Sequence, residues 1–207
     1  MPTEISLREI EQSAFREVQQ DGLLEILVSL ILFLASGSVM GQAWLLIAIG
    51  VVVVFQATIL EGLRRRITYP RIGYAKLAED PPGETFKGMF IFVAAAIATI
   101  AAGLFLFGEL FNIELWIRWL PAFAGLMMAG AFLFLHRKSG RSPHLLLAIL
   151  APAGGLAFSL LRIGSRYENV GLFCLYLGGV LLIMGLAQLT WFLLTHPRAE
   201  LEADHAD

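Results

Sequence analysis

Residues 23–66 read LLEILVSLILFLASGSVMGQAWLLIAIGVVVVFQATILEGLRRR. Two apolar runs, Leu23 to Met40 and Ala43 to Leu60, follow one another with only Gly41 and Gln42 between them, and Glu25 is the one formal charge in either. A hydrocarbon core about 30 Å thick takes roughly 20 residues of helix, with a range of about 17 to 25. Backbone amides in lipid must be satisfied inside their own segment, and neither run shows the polar–apolar alternation of a barrel strand. Both therefore read as transmembrane helices joined by a tight turn. Arg64, Arg65 and Arg66 close the pair on the side where positive charge collects.

Four further stretches repeat the pattern: Gly88 to Gly108, Trp119 to Leu135, Leu145 to Leu161 and Val170 to Leu194. The expected fold is all-α, a polytopic membrane protein with a six-transmembrane-helix bundle. Residues 1–22 form an amphipathic N-terminal segment, 23–195 the membrane domain and 196–207 a tail. The bulk composition agrees, with 57% hydrophobic and 15% charged residues and a mean hydropathy of +0.74, far from the balance of a soluble domain. A net charge of −2 leaves no basic face for nucleic acid. The single cysteine, Cys174, lies in the sixth span and reads as a small apolar core residue, with no disulfide or Cys-based metal motif. The acidic stretch from Glu4 to Asp21 is unlike a cleavable signal, so the first span is expected to be its own insertion signal.

The basic residues orient the bundle. With the N-terminus inside, twelve of the fifteen Lys and Arg residues fall on the cytoplasmic side: Arg8, Arg16, Arg64, Arg65, Arg66, Arg71, Lys76, Lys87, Arg137, Lys138, Arg141 and Arg198. Only Arg118, Arg162 and Arg166 fall outside. The positive-inside rule then gives both termini in the cytoplasm. A prokaryotic plasma membrane is the expected setting. Nearly all the extramembrane chain, including the connection Glu61 to Lys87, lies on that side.

Polar features concentrate there too. Ser6 and Glu9 fit a capping box, and Leu7, Ile10, Ala14, Phe15 and Val18 recur at helical spacing, which predicts a short helix with an acidic face. The loop Tyr69-Pro-Arg-Ile-Gly-Tyr74 predicts an ordered turn, with Pro70 pushing Tyr69 toward extended geometry and Gly73 free to take positive φ. Arg71, between Tyr69 and Tyr74, is the residue placed to grip a phosphate or carboxylate. Glu25 opens the first span and Glu61 closes the second, at one depth. Arg64 and Arg65 follow Glu61 at i+3 and i+4, which reads as an ion-pair cluster or, alternatively, a proton or cation site.

The Tyr-Pro-Arg-x-Gly-Tyr loop, with the acidic segment before the first span, resembles an uncharacterised family of small polytopic bacterial and archaeal membrane proteins. The resemblance covers residues 1–80 and implies membrane residence; it carries no assigned activity and no catalytic residue.

Within the spans, Ala94, Ala98 and Ala102 make a small-residue stripe, and Gly171, Gly178 and Gly185 repeat every seven residues, so other backbones can approach there. That approach serves packing within the chain or an oligomer seam. Pro152, followed by Gly154 and Gly155, is a combination that can break the fifth span, as in transporters with discontinuous helices. On the outer side, Glu109, Glu114, Arg118, Trp116 and Trp119 suggest an interfacial helix, with Arg162, Arg166 and Glu168 in the other outer loop. His136, His144 and His196 fall at cytoplasmic span ends without metal-motif spacing, so no metal and no cofactor are expected. No nucleophile–base motif or phosphate-binding loop occurs. The reading is a non-catalytic membrane protein, with lipids, a second copy or another membrane protein as partners; the alternative is a small-solute or ion transporter using Pro152, Gln56 and Glu61.

Overall fold

The computed structural model describes residues 21–72, 90, 94, 97, 101, 113–139, 142–161 and 165–197. Every regular element among them is helical: α1 Leu23–Val39, α2 Leu45–Ile67, α3 Tyr69–Ile72, α4 Ile113–Ser139, α5 Ser142–Leu161 and α6 Arg166–Thr195. Four of these, α2, α4, α5 and α6, are long and apolar enough to cross a membrane. α1 has 17 residues, about 26 Å at 1.5 Å per residue. The expected N-terminal helix, Tyr74, Ala98 and Ala102 lie outside the described residues. So does the third span, 88–108, apart from Phe90, Ala94, Ile97 and Ala101, which are helical and exposed.

Glycine sets the closest helix contact. Gly22, just before α1, has φ of 66°, and a Cβ there would strike the Gly185 carbonyl of α6. A Cβ on Gly185 would in turn stand 2.9 Å from the Gly22 carbonyl. One and two turns of the heptad earlier, Gly178 faces Phe33 and the Ser29 carbonyl, and Gly171 faces Met40 and the Ser36 carbonyl. All three glycines of the α6 stripe thus pack on α1 of the same chain. Helices without side chains at the seam approach within backbone reach, which is how membrane helices gain packing where lipid supplies no hydrophobic drive.

α4 and α5 form the second close pair. Gly125 abuts the Ala151 carbonyl, and Gly155 abuts the Pro121 carbonyl. The break that the transporter alternative would use at Pro152 does not occur, because α5 runs continuously from Ser142 to Leu161. Gly154 and Gly155 serve contact instead, Gly154 against the Tyr176 ring and Gly155 against α4. Tyr176 Oη also donates to the Leu150 carbonyl at 3.3 Å, next to the turn that Pro152 disturbs. α4 likewise runs through Pro121, and the neighbouring Ala122 N–H is taken up by the buried Ser159 hydroxyl at 3.2 Å. Both prolines thus lie in helices that are packed and hydrogen-bonded to their neighbours, a setting in which membrane helices tolerate proline.

The core lies among α1, α4, α5 and α6. Phe132, Leu147, Ala148, Ala151, Phe173, Leu177 and Leu181 are buried, with Val28 and Leu32 of α1 against them. α2 stands outside that core. It extends past the expected end at Leu60 to Ile67, carrying its three arginines as the last helical turns. α4 begins at Ile113, so the tryptophan-bearing segment continues into the long helix rather than forming a separate interfacial one. There the Arg118 guanidinium lies 5.9 Å from the Trp119 ring centre, and Trp116 packs on Phe123. α6 opens with a capping box in which Ser165 and Glu168 exchange backbone bonds.

Candidate functional site

The described polar side chains withdrawn from solvent gather mainly at one end of the bundle. This is the end where α1 and α5 begin and α2 and α6 finish. Asp21, fully buried, accepts from the Leu23 N–H at 3.2 Å, the Thr68 hydroxyl at 3.0 Å and Arg64 Nε at 3.0 Å. One carboxylate thereby holds the start of its own helix and the end of α2. Arg64, like Glu25, His144 and Gln188, is turned inward, and a charge so placed is stable only when paired and hydrogen-bonded.

A turn further along α1, Glu25 meets α5. His144 Nδ1 stands 3.9 Å from Glu25 Oε1, and both residues are buried, at 2% and 6% exposure. Gln188 of α6, 8% exposed, packs beside Gly22. Glu25 sits in the first turn of α1, where the helix's positive end favours a carboxylate. The pair lies at the boundary of the apolar layer and is the one place among the described residues where buried acid and imidazole face each other. It could hold a proton between them; no group of three or more metal-ligating side chains occurs among the described residues.

Glu61 takes a different role from the one its spacing suggests. Arg65 Nε reaches it at 3.1 Å, as expected at i+4, but Arg64 turns to Asp21, and the second partner of Glu61 is Tyr69, whose hydroxyl donates at 2.8 Å. Glu25 and Glu61 therefore belong to separate clusters, one buried and one at the surface.

The Tyr69–Pro70–Arg71 stretch is also rearranged relative to expectation. It is a short helical turn, α3, rather than an extended one. Pro70 occupies the first turn, where its missing N–H costs nothing, and the Thr68 carbonyl receives the Arg71 and Ile72 amides at 3.1 and 3.2 Å. Tyr74 lies outside the described residues; Arg71 is held by backbone carbonyls. Its Nη1 donates to the His196 carbonyl at 2.9 Å and its Nε to the Ile67 carbonyl at 3.1 Å. A guanidinium at the end of α6 satisfies a carbonyl that the helix leaves open and faces the negative end of its dipole.

Together these contacts join five helices at one level: α1 to α2 through Asp21, α1 to α5 through Glu25 and His144, α1 to α6 through Gly22 and Gly185, and α3 to α6 through Arg71. The sequence pointed to Glu25, Glu61, Tyr69 and Arg71 individually. Asp21, Thr68 and the Glu25–His144 pairing were missed, although Asp21 stands just before a span and opposite in charge to Arg64 at the same depth. Comparison with known proteins finds no matching family model, no matching curated protein and no matching solved structure.

Proposed function

We propose that this chain is a multi-pass integral membrane protein that acts without catalysis, as an accessory or scaffold that assembles through helix faces and presents its charged end to the cytoplasm. The observation that carries this reading is where the buried and half-buried polar groups go: Asp21, Arg64, Thr68 and Arg71 are used in tying helices to each other. The unbroken α5 supports it as well, since a discontinuous helix is the usual scaffold of a transport site.

The same end supports the proposed orientation. Arg64, Arg65, Arg66, Arg71 and Arg137 lie there, whereas Arg118 lies toward the other. The bias supports a cytoplasmic charged end with both termini inside, in a plasma membrane of the kind the family resemblance suggests. Ile72 sits at the charged end and Ile113 at the opposite one, because α4 reaches the charged end at Ser139. The connection from 73 to 112 thus joins the two ends, and Gly88 to Gly108 is the apolar stretch in it long enough to cross. This supports a reading with six crossings.

A second reading, proton-linked transport, is favoured by one observation, the buried Glu25–His144 pair. Ionisable groups inside a membrane domain often mark proton paths. The two readings separate on purification from the native membrane in mild detergent, with companions identified by mass spectrometry. Assembly predicts a stoichiometric companion chain or a defined oligomer. A lone monomer that carries solute or ion flux in liposomes, abolished by Glu25→Gln, would replace it with transport.

A further inference from the structure

The seam between α1 and α6 keeps one register along its length. Gly22 lies on Gly185, the Ser29 carbonyl on Gly178 and the Ser36 carbonyl on Gly171, so each step of seven residues back along α1 is answered by seven forward along α6. The next position on that face of α6 is Phe192, two turns or about 10.5 Å beyond Gly185. Phe192 is 1% exposed, although α1 begins only at Leu23 and α5 begins level with Glu25. The His196 ring, 4.9 Å away, covers one side of it. α4 runs on to Ser139 at that level, but the core it shares with α6 lies along Phe173, Leu177 and Leu181, beside the glycine face rather than on it. The face that α1 covers therefore continues, still buried, past the start of α1.

The chain that enters α1 is the nearest occupant. Asp21 is fastened to Arg64 and Thr68 and Gly22 is pressed on Gly185, so residues 1–20 join the bundle beside the end of α6. Seven residues before Gly22 stands Phe15, with Val18 one turn nearer, both in the apolar series Leu7, Ile10, Ala14, Phe15 and Val18. Gly22, with φ of 66°, lets the chain bend, so the register sets the depth of this series rather than each pairing. The charges agree: residues 1–20 carry four Glu against two Arg, and Arg65 and Arg66 stand exposed at the same end. The same acidity sets the segment against an anionic membrane surface. The other stretches near this end fit less well, since 73–87 offers Tyr74 and Leu77 before Pro81 and Pro82 interrupt it, and 198–207 has Leu201 as its one large apolar residue.

We propose that residues 1–20 dock along the end of α6 as a strap, with the turn from Phe15 to Val18 closing over Phe192 and extending the face that α1 occupies. Apolar burial drives the contact, and two aromatic rings add to it. The glycines at 171, 178 and 185 admit the α1 backbone; Phe192, where the seam leaves the apolar layer, supplies a side chain for the strap to grip. The docking holds under either reading of function, assembly or transport. It also means that a partner approaching the charged end meets a surface built in part by residues 1–20.

The test uses the full chain in its native membrane with Cys174→Ser, adding Phe15→Cys together with Phe192→Cys under mild oxidation. Cleavage of the denatured chain after its lysines separates the two positions unless a disulfide joins them, because Lys76, Lys87 and Lys138 lie between. A joined pair is the expected result, whereas Leu77→Cys with Phe192→Cys should come apart. In the otherwise unaltered protein, Phe15→Asp should speed hydrogen exchange in the last two turns of α6 about tenfold, and Phe15→Leu should leave it unchanged. A bond from Leu77→Cys and none from Phe15→Cys would overturn the proposal in favour of the stretch after α3. Exchange indifferent to Phe15→Asp, with positions 15 and 192 unjoined, would overturn it outright. A spin label on Phe15→Cys with the oxygen accessibility of a lipid-facing site would overturn it as well, by placing the segment on the membrane. None of these results bears on the assembly reading, which the search for companion chains tests separately.

Discussion

The Asp21 carboxylate, fully buried, receives Arg64 Nε at 3.0 Å across 43 residues of sequence. Arg64 keeps 15% of its side chain exposed, so this is a pair at the edge of the apolar layer with water on one side. Removing one member strands the other charge, a loss of roughly 3 kcal/mol for a buried pair. Asp21→Ala and Arg64→Ala should each lower unfolding stability in detergent by about that amount. The double variant should cost less than the two summed, and additive losses would show that the pair does not act as a unit.

The glycines of α6 should rank by what stands opposite them. A Cβ at Gly185 meets backbone of Gly22 and Ile26, one at Gly178 meets the Phe33 ring, and one at Gly179 meets nothing within 4 Å. Thermal unfolding is expected to show Gly185→Ala most damaging, at about 1–3 kcal/mol, and Gly178→Ala milder. Gly179→Ala should be neutral or slightly stabilising. Gly178→Leu should unfold the chain rather than dissociate an oligomer, since its neighbours belong to α1.

Arg71 donates to the carbonyls of Ile67 and His196. With Arg71→Ala, the final turn of α6 around His196 loses a charged donor, worth roughly 1.5–3 kcal/mol when well buried and less here because Arg71 is only half-buried. Hydrogen exchange should accelerate in that turn while α4 and α5 stay protected. Unchanged exchange near His196 would mean that the contact contributes nothing to holding the turn.

Pro152 carries no break, so replacing it should leave the fold intact. Pro152→Ala restores a backbone donor in a helix already continuous, and the variant is expected to be at least as stable as the parent in a thermal melt. Loss of folding would indicate that the proline is needed for the contact of Gly155 with α4.

The apolar spans were legible because hydropathy is a local property: each of the described crossings could be read from its own residues. Their ends were less so. α2 was expected to stop at Leu60, yet Glu61 and Arg65 pair one turn apart and keep the helix going to Ile67. The Ser165–Glu168 box is visible in the sequence as a spacing, and in the structure it opens α6. What no local pattern could provide is the pairing of distant ends. Asp21 with Arg64, Glu25 with His144 and Arg71 with the His196 carbonyl each depend on which helix lies beside which. Whether Pro152 breaks its helix is of the same kind, because that is settled by the groups packed around it, and α5 runs through it.

Water access to the bundle interior separates assembly from transport most directly. Ser29, 1% exposed in α1, lies where Gly178 of α6 closes on it, so Ser29→Cys in the Cys174→Ser protein reports on the space between these helices. The account predicts that a membrane-impermeant thiol reagent, applied from either side of intact native membranes, leaves Ser29→Cys unmodified while the denatured chain reacts fully. Rapid modification from one side would contradict it, by showing an aqueous path through the bundle where packed helices should stand.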